Sequence, residues 1–446
     1  MFFFSIIYKI YNLLIFSIFF NNLKMFIIKL FFFLIYFLIY NYCKLIYVVE
    51  VNRHGARTST NYPNGKLSKF FGIDDKLTPN GLIQQQKLGK IIRNKYINEL
   101  KFLSKNYNPS EFEIFSTEYQ RTIFSAEGFL SGLYPGYITK IIYKNKELKD
   151  IINNDSAPIA EGYFNENFPK EINLNVIDGN KDKMFHPNHC KLNNVLFEDY
   201  FNNNNKIFNI SNKEIEKNLD EITNFLDVKI KNDSFYNPQF KLEQISKIFF
   251  VYTYHFGKNI NSLSKEAKNL IKKTIINKYY SILFYNEKAV KIKGSDFFNN
   301  LLKIFDNAIN KQKFLKTENN KKFTVFSAHD SNIINCISNL LNKDYIKELI
   351  NKSLKNDEIF NFLVPTFASN LIFELHKEDN KKYYVKIYLN GKIIDKKLIN
   401  GIHGDKEGKI IYEDFKKLIK DRIDNDYKKL KCSKKKLEKE DINIFE

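Results

Sequence analysis

Three short apolar runs along the chain share one pattern: each is rich in β-branched or aromatic side chains and stops at a polar cluster. "KLIYVVEVN" runs into Arg53, "EFEIFST" leads to Arg121, and "KFTVFSA" ends at His329. Such runs suit buried strands. Helical spacing follows the latter two, with apolar positions at 123, 126, 129, 130 and 133 after Arg121 and at 333, 334, 337, 340 and 341 after Asp330. Between the first two lies "LTPNGLIQQQKLGKIIRNKYINELKFL". It predicts a helix capped by Thr78, with Pro79 at its first position and Leu88, Ile91, Ile92, Tyr96 and Leu103 on one face. Alternating strands and helices predict an α/β fold, in which ligands bind beyond the carboxyl ends of the strands. All three polar clusters fall at such ends. Toward the C-terminus, "SNLIFELHKEDNKKYYVKIYLNGKIID" predicts a pair of antiparallel strands and a hairpin turn at Asn390-Gly391. Residues 140–320 are Asn- and Lys-rich with polar helical stretches, which predicts an insertion or cap over the sheet.

The first 47 residues are too apolar for a soluble surface. One run goes from Phe2 to Phe20, broken by Lys9, and a second from Met25 to Cys43. Started at Met1, the pair reads as two short hydrophobic helices or an uncleaved anchor, each approaching the ~20 residues that cross a bilayer. Started at Met25, Lys29 supplies a basic n-region and Leu30 to Tyr40 an h-region of secretory length, and this second reading is preferred. Either way the remainder is expected to be exported, secreted or delivered to a lysosome or digestive vacuole. Membrane contact is expected only through this segment. Sequons at Asn154, Asn209, Asn232 and Asn351 agree with export.

The chain has 446 residues, and 44% hydrophobic content is enough for a core. A net charge of +20 would ordinarily suggest nucleic acid as a partner. Here the excess is almost all lysine, interspersed with acids as in "KEDNKKYY" and "KKKLEKED", and the aromatics sit in apolar runs. That describes a solvated surface, and no nucleic-acid partner is expected. The lysine bias makes arginine informative, because it occurs only at Arg53, Arg57, Arg93, Arg121 and Arg422. A planar fork of five donors matches phosphate or carboxylate through two parallel hydrogen bonds. Neither a CxxC nor a Cys/His pair with ligand spacing occurs, so no metal is expected.

In "RHGARTS", Arg53 and Arg57 flank a His-Gly pair and can form an anion cradle, with Gly55 allowing close backbone approach. His54 in that cradle can attack phosphorus and form a covalent phosphohistidine. Arg121 and His329 can add donors, and Asp330 can protonate the leaving alkoxide, which predicts best activity at acid pH.

These segments resemble the histidine acid phosphatases, the acid-phosphatase and phytase branch of the histidine phosphatase superfamily. "RHGARTS" is similar to that family's RHGxRxP signature, "STEYQRTIFSAEGFLSGLYP" to the segment carrying its third arginine, and "FSAHDSNI" to its distal HD motif. The resemblance covers about residues 45 to 415 and thins through the central cap. It implies a phosphoglycerate mutase-like core, a central and mostly parallel sheet flanked by helices, with an inserted helical cap. It implies His54 as nucleophile, Arg53, Arg57, Arg121 and His329 as phosphate contacts, and Asp330 as proton donor, without cofactor. Ser59 stands where the family has proline. A bridge between Cys190 and Cys432 is implied by animal relatives, while Cys336 reads as a buried apolar residue. His186, His189 and His255 fall in the cap, where a structural role is preferred, and His376 and His403 carry no signal.

The domains expected are a hydrophobic segment at 1–43, a phosphatase domain at 44–425 with its core at 44–139 and 321–425 and its cap at 140–320, and a charged tail at 426–446. The expected function is hydrolysis of a small phosphate monoester, with homodimerisation left open. Two alternatives are a phytase-like or substrate-restricted phosphatase and a membrane-tethered anion binder without turnover.

Overall fold

The computed structural model describes residues 43–58, 75–143, 171–179, 182, 184–185, 206–227, 238–256, 262–285, 287–313, 321–378, 382–394, 399 and 408–423. The hydrophobic N-terminal segment before Cys43, Ser59, the expected bridge partners Cys190 and Cys432, His186, His189, His403 and the sequons at Asn154 and Asn232 lie outside them.

The sheet is built around β1 (Cys43–Arg53). Its neighbours are β2 (Phe112–Ser116), β3 (Ile138–Tyr143), β4 (Glu171–Val176), β5 (Phe323–Ala328), β6 (Asn370–Glu378), β7 (Tyr383–Leu389) and the two-residue strands β8 (Lys392–Ile393) and β9 (Ile410–Ile411). Their order is β3-β4-β2-β5-β1-β6-β7-β8, with β9 also pairing β7. Strands β3, β4, β2, β5 and β1 run parallel, while β6 and β7 are antiparallel to their neighbours. The expected hairpin turn is present, with Asn390 and Gly391 both at positive φ between β7 and β8.

Strand β1 is apolar without alternation because both of its faces are covered. Val48 joins one core with α1 (Pro79–Arg93) and α2 (Gln120–Leu133), and Val49 and Val51 join the other. That second core is closed by α6 (Glu287–Lys313), whose Phe297 and Phe298 pack against Phe373 of β6, tilted and edge-on respectively, and whose Phe305 meets Tyr47. Thr78 caps α1, accepting from the Gly81 amide at 3.2 Å, and Pro79 opens the helix as expected. The face is narrower than expected. Leu88, Ile92, Tyr96 and Leu103 are buried, but Ile91 is 63% exposed, since α1 packs against α2 on one side only.

Residues 140–320, assigned by composition to a cap, divide between two roles. β4 and most of β3 extend the parallel sheet, and α6 covers one of its faces. The chain between them forms α3 (Asn212–Leu226), α4 (Pro238–Phe256) and α5 (Lys265–Tyr285). Of these, α4 and α5 stand over the carboxyl ends of β1 and β5, lining a cavity there with Arg53 and Asp330. After β5 come α7 (Asp330–Leu340), α8 (Lys343–Ser353), α9 (Asp357–Leu363) and, past β9, α10 (Tyr412–Arg422). No helix among the described residues is long and apolar enough to cross a membrane.

Candidate active site

Adjacency in the sheet gathers the site. β2, β5 and β1 lie side by side, with Arg53 opposite Ala328 and Ser116 opposite Ser327. The residues just past these three strands therefore meet at one edge: His54 after β1, His329 and Asp330 after β5, and Thr117 leading into Arg121 after β2. Arg121 and Asp330 fall in the first turns of α2 and α7 rather than in loops.

The loop after β1 is fixed by backbone contact. The His54 amide donates to Ala328 O at 3.0 Å and the Gly55 amide to Ser125 Oγ at 2.9 Å. Gly55 and Gly81 touch so closely that a Cβ on Gly55 would lie 2.2 Å from Gly81 O. His54 is 3% exposed, and its Nδ1–H donates to Gly55 O at 2.8 Å. Because a carbonyl can only accept, this contact assigns the proton to Nδ1 and leaves the Nε2 lone pair free in the neutral ring. Burial, then the charges of Arg121 and Arg53, the His329 ring and Arg57, holds the His54 pKa well below the ordinary histidine value.

The arginines are locked in place. Arg53 Nη1 donates to Pro365 O at 2.5 Å, its Nη2 pairs with Asp330 Oδ2 at 3.0 Å, and its guanidinium stacks 4.5 Å from the Phe367 ring centre. Arg121 stacks 4.3 Å from the Tyr119 ring and reaches His329 Nδ1 at 3.4 Å, while His329 Nε2 bonds Thr117 Oγ1 at 3.1 Å. His54 and His329 stand edge to face with ring centres 5.6 Å apart. Arg53 Nε and Arg121 Nε are buried without a hydrogen-bond partner, an arrangement that suits donors meant for an oxyanion.

Two residues that the sequence did not single out complete the cluster. Asp75 bridges the cradle, with Oδ1 2.8 Å from Arg57 Nη1 and Oδ2 2.6 Å from Arg121 Nη1. Its φ of 56° is left-handed, a conformation that aspartate tolerates better than most residues. Tyr279 on α5 donates to Asp330 Oδ2 at 2.8 Å. Burial alone would raise the Asp330 pKa, but Arg53, Lys278, His54 and Tyr279 together hold it well below the usual carboxylate range. These neighbours favour the carboxylate form of Asp330.

A cavity of about 220 Å³ opens beside the cradle, lined by Arg53, Arg57, Lys278, Tyr279 and Asp330 and walled by Phe250, Val251, Ile275 and Phe367. His255 is half-buried near the start of α1, 3.5 Å from Thr78 Oγ1. His376, which carried no signal, pairs with the buried Glu374 at 2.9 Å. Cys336 is buried, and burial raises its thiol pKa. Among the described residues no group of three or more His, Cys, Asp or Glu side chains could hold a metal ion.

Among related sequences, the lysosomal acid phosphatase of Bos taurus is 35% identical over 97 residues, covering 20% of this chain and 22% of that protein. The Rattus norvegicus enzyme is 34% identical over 97 residues, with the same shares. These matches span less than a quarter of the relatives' length. Among solved structures, apo Hafnia alvei phytase superposes with a TM-score of 0.54 at 14% identity, covering 86% of this chain and 98% of that one. A Bifidobacterium longum multiple inositol polyphosphate phosphatase bound to inositol hexasulfate gives 0.53 at 11% identity, covering 86% and 94%. At such identities the likeness is one of fold. A family model described as the histidine phosphatase superfamily (branch 2) matches residues 44–390, and the chain belongs to that family.

Proposed function

We propose that the protein is an acid phosphatase that hydrolyses phosphate monoesters through a covalent phosphohistidine on His54. One observation carries the reading: a neutral His54, its Nδ1–H tied to Gly55 O and its Nε2 lone pair free, sits among Arg53, Arg57 and Arg121. The guanidinium groups hold the phosphoryl oxygens and neutralise their charge. His54 Nε2 attacks phosphorus, and the ester P–O bond breaks. Asp330 gives its proton to the departing alkoxide. Water then attacks phosphorus as Asp330 takes its proton, the P–N bond breaks to free His54, and phosphate leaves. Asp330 must acquire its proton first, which the arrival of an anionic substrate and an acid medium both favour. Arg121 reaches the phosphoryl group by exchanging Asp75 for it. His329 contributes a second donor once its Nδ1 is protonated.

The cavity wall supports a monoester with an apolar or aromatic leaving group over a polyphosphorylated one. Beyond the cradle arginines it offers one cation among the described residues, Lys278, against four apolar side chains. The lysosomal relatives and the acid chemistry support a secretory route to an acid compartment. Asn209, in one of the sequons, is exposed beside the Ser211 cap of α3 and could carry a glycan.

The test is hydrolysis of an aryl phosphate from pH 3 to 8 in excess chelator. Acid-peaked, chelator-resistant activity is expected, falling at least about 1,000-fold in His54→Ala and about 100- to 10,000-fold in Asp330→Ala. Wild-type turnover in a folded His54→Ala protein would reject the phosphohistidine.

A further inference from the structure

The proposed chemistry leaves Tyr279 without a task. It projects from α5 into the cavity, and its hydroxyl donates to Asp330 Oδ2 at 2.8 Å. The same oxygen receives Arg53 Nη2 at 3.0 Å, while Oδ1 accepts the Ser331 amide at 2.7 Å. Both carboxylate oxygens are therefore engaged, and the orientation of the group is set from two sides: by β1 through Arg53 and by the cap through Tyr279. A hydroxyl differs from a guanidinium in one respect. It can accept as well as donate.

The geometry points to Tyr279 as the positioning residue of the proposed proton donor, holding the Asp330 carboxylate toward the cavity and turning from donor to acceptor when Oδ2 takes a proton. In that second state the phenol oxygen steadies the Asp330 proton until it passes to the leaving-group oxygen, so the cap helix takes part in each protonation event. The inference rests on Asp330 being the donor. The charged and titratable groups facing Asp330 are Arg53 of β1, the neutral His54 after it, Lys278 beside Tyr279 on α5 and, more distantly, Arg57 and Arg121. None of them is altered by Tyr279→Phe, which removes a hydrogen bond to the charged form and retains the ring against which Lys278 lies, 4.8 Å from its centre.

The experiment compares wild type, Tyr279→Phe and Asp330→Asn on an aryl and an alkyl phosphate across pH 3 to 8, with circular dichroism to check folding. Loss of a hydrogen bond to the carboxylate destabilises its charged form, so the alkaline limb of kcat, which reports the substrate complex, moves up in Tyr279→Phe by about one pH unit. At the wild-type optimum, kcat for the alkyl ester falls about 3- to 10-fold, more than for the aryl ester, with KM changed less than about twofold. A pH profile superimposable on wild type, or an effect confined to KM, overturns the role of Tyr279. Undiminished alkyl-ester turnover in Asp330→Asn overturns the donor assignment itself. If Asp330→Asn loses turnover while the Tyr279→Phe profile stays in place, only Tyr279 is rejected. Should Tyr279→Phe fail to fold, Tyr279→Leu, which also removes the hydroxyl, is read against the same criteria.

Discussion

Asp75 is the residue whose position most alters how the cradle is understood. Its carboxylate spans Arg57 and Arg121, two of the groups proposed to bind phosphate, and its side chain is only 25% exposed. An internal anion there offsets the cost of burying guanidinium groups, and it also competes with any ligand that seeks the same donors. Asp75→Asn keeps the shape and removes the charge. Inorganic phosphate is expected to inhibit that variant at about 3- to 10-fold lower concentration, allowing for partial solvent screening of the pairs. Unchanged or weakened inhibition would show that Asp75 serves only to hold the arginines still. Sequence reasoning found the arginines because arginine is rare in this chain, occurring at five positions. It passed over Asp75 because aspartate is common, and over Tyr279 because tyrosine is one of 27. For these two residues residue type carries no signal, and only folding shows what they face.

At the scale of elements, the carboxyl-end edge is held by the contact between the loop after β1 and the first turn of α1. A Cβ on Gly81 would lie 2.1 Å from Ala56 O. Since backbone meets backbone there, no side-chain rotation relieves it. Gly81→Ala is expected to cost about 1–3 kcal/mol in urea unfolding and to lower activity by displacing the loop that carries His54. A variant of wild-type stability and activity would mean the loop shifts freely. The strands that carry the site were legible because a strand covered on both faces carries consecutive apolar positions, as at Leu45–Val49 of β1 and Val325–Phe326 of β5. β4 was not. In "EINLNV" only Ile172, Leu174 and Val176 are buried, and the intervening Glu171, Asn173 and Asn175 give it the polar average of the segment around it. Ile91 was given to the wrong flank because a helical stripe read from sequence does not say how wide its partner is.

Over the whole molecule, pH should act on stability as well as on turnover. Glu50 lies in the middle of β1, wholly buried, with Asn370 Nδ2 donating to it at 2.7 Å, and burial raises its pKa from 4.5 to about 7. A folded-state pKa above the unfolded one gives stability that is complete below about pH 4.5 and is lost as pH rises through 7. Glu374 has the opposite sign. Although burial opposes it, hydrogen bonds from His376 and Lys95 lower its pKa to about 2, so its contribution is present above pH 4.5 and lost toward 2. The neutral His54 also loses stability on the acid side, below its unfolded value. The expected outcome is therefore stated as a difference: thermal melts from pH 4 to 8 should show Glu50→Gln less sensitive to rising pH than wild type, by up to about 3 kcal/mol. Parallel melting curves would place the titration elsewhere. The strand order has a further consequence, for synthesis. β1 is the first strand of the sheet in sequence, yet it is flanked by β5, which starts at residue 323, and β6, which starts at 370. A chain emerging from the ribosome must carry this interior strand unpaired until β5 and β6 have appeared. Arg53 likewise waits for Pro365, and Asp330 for the edge that both strands complete. Activity should therefore arise in a single late step, and the nascent chain is most exposed to aggregation, and most dependent on chaperones, just before its site exists.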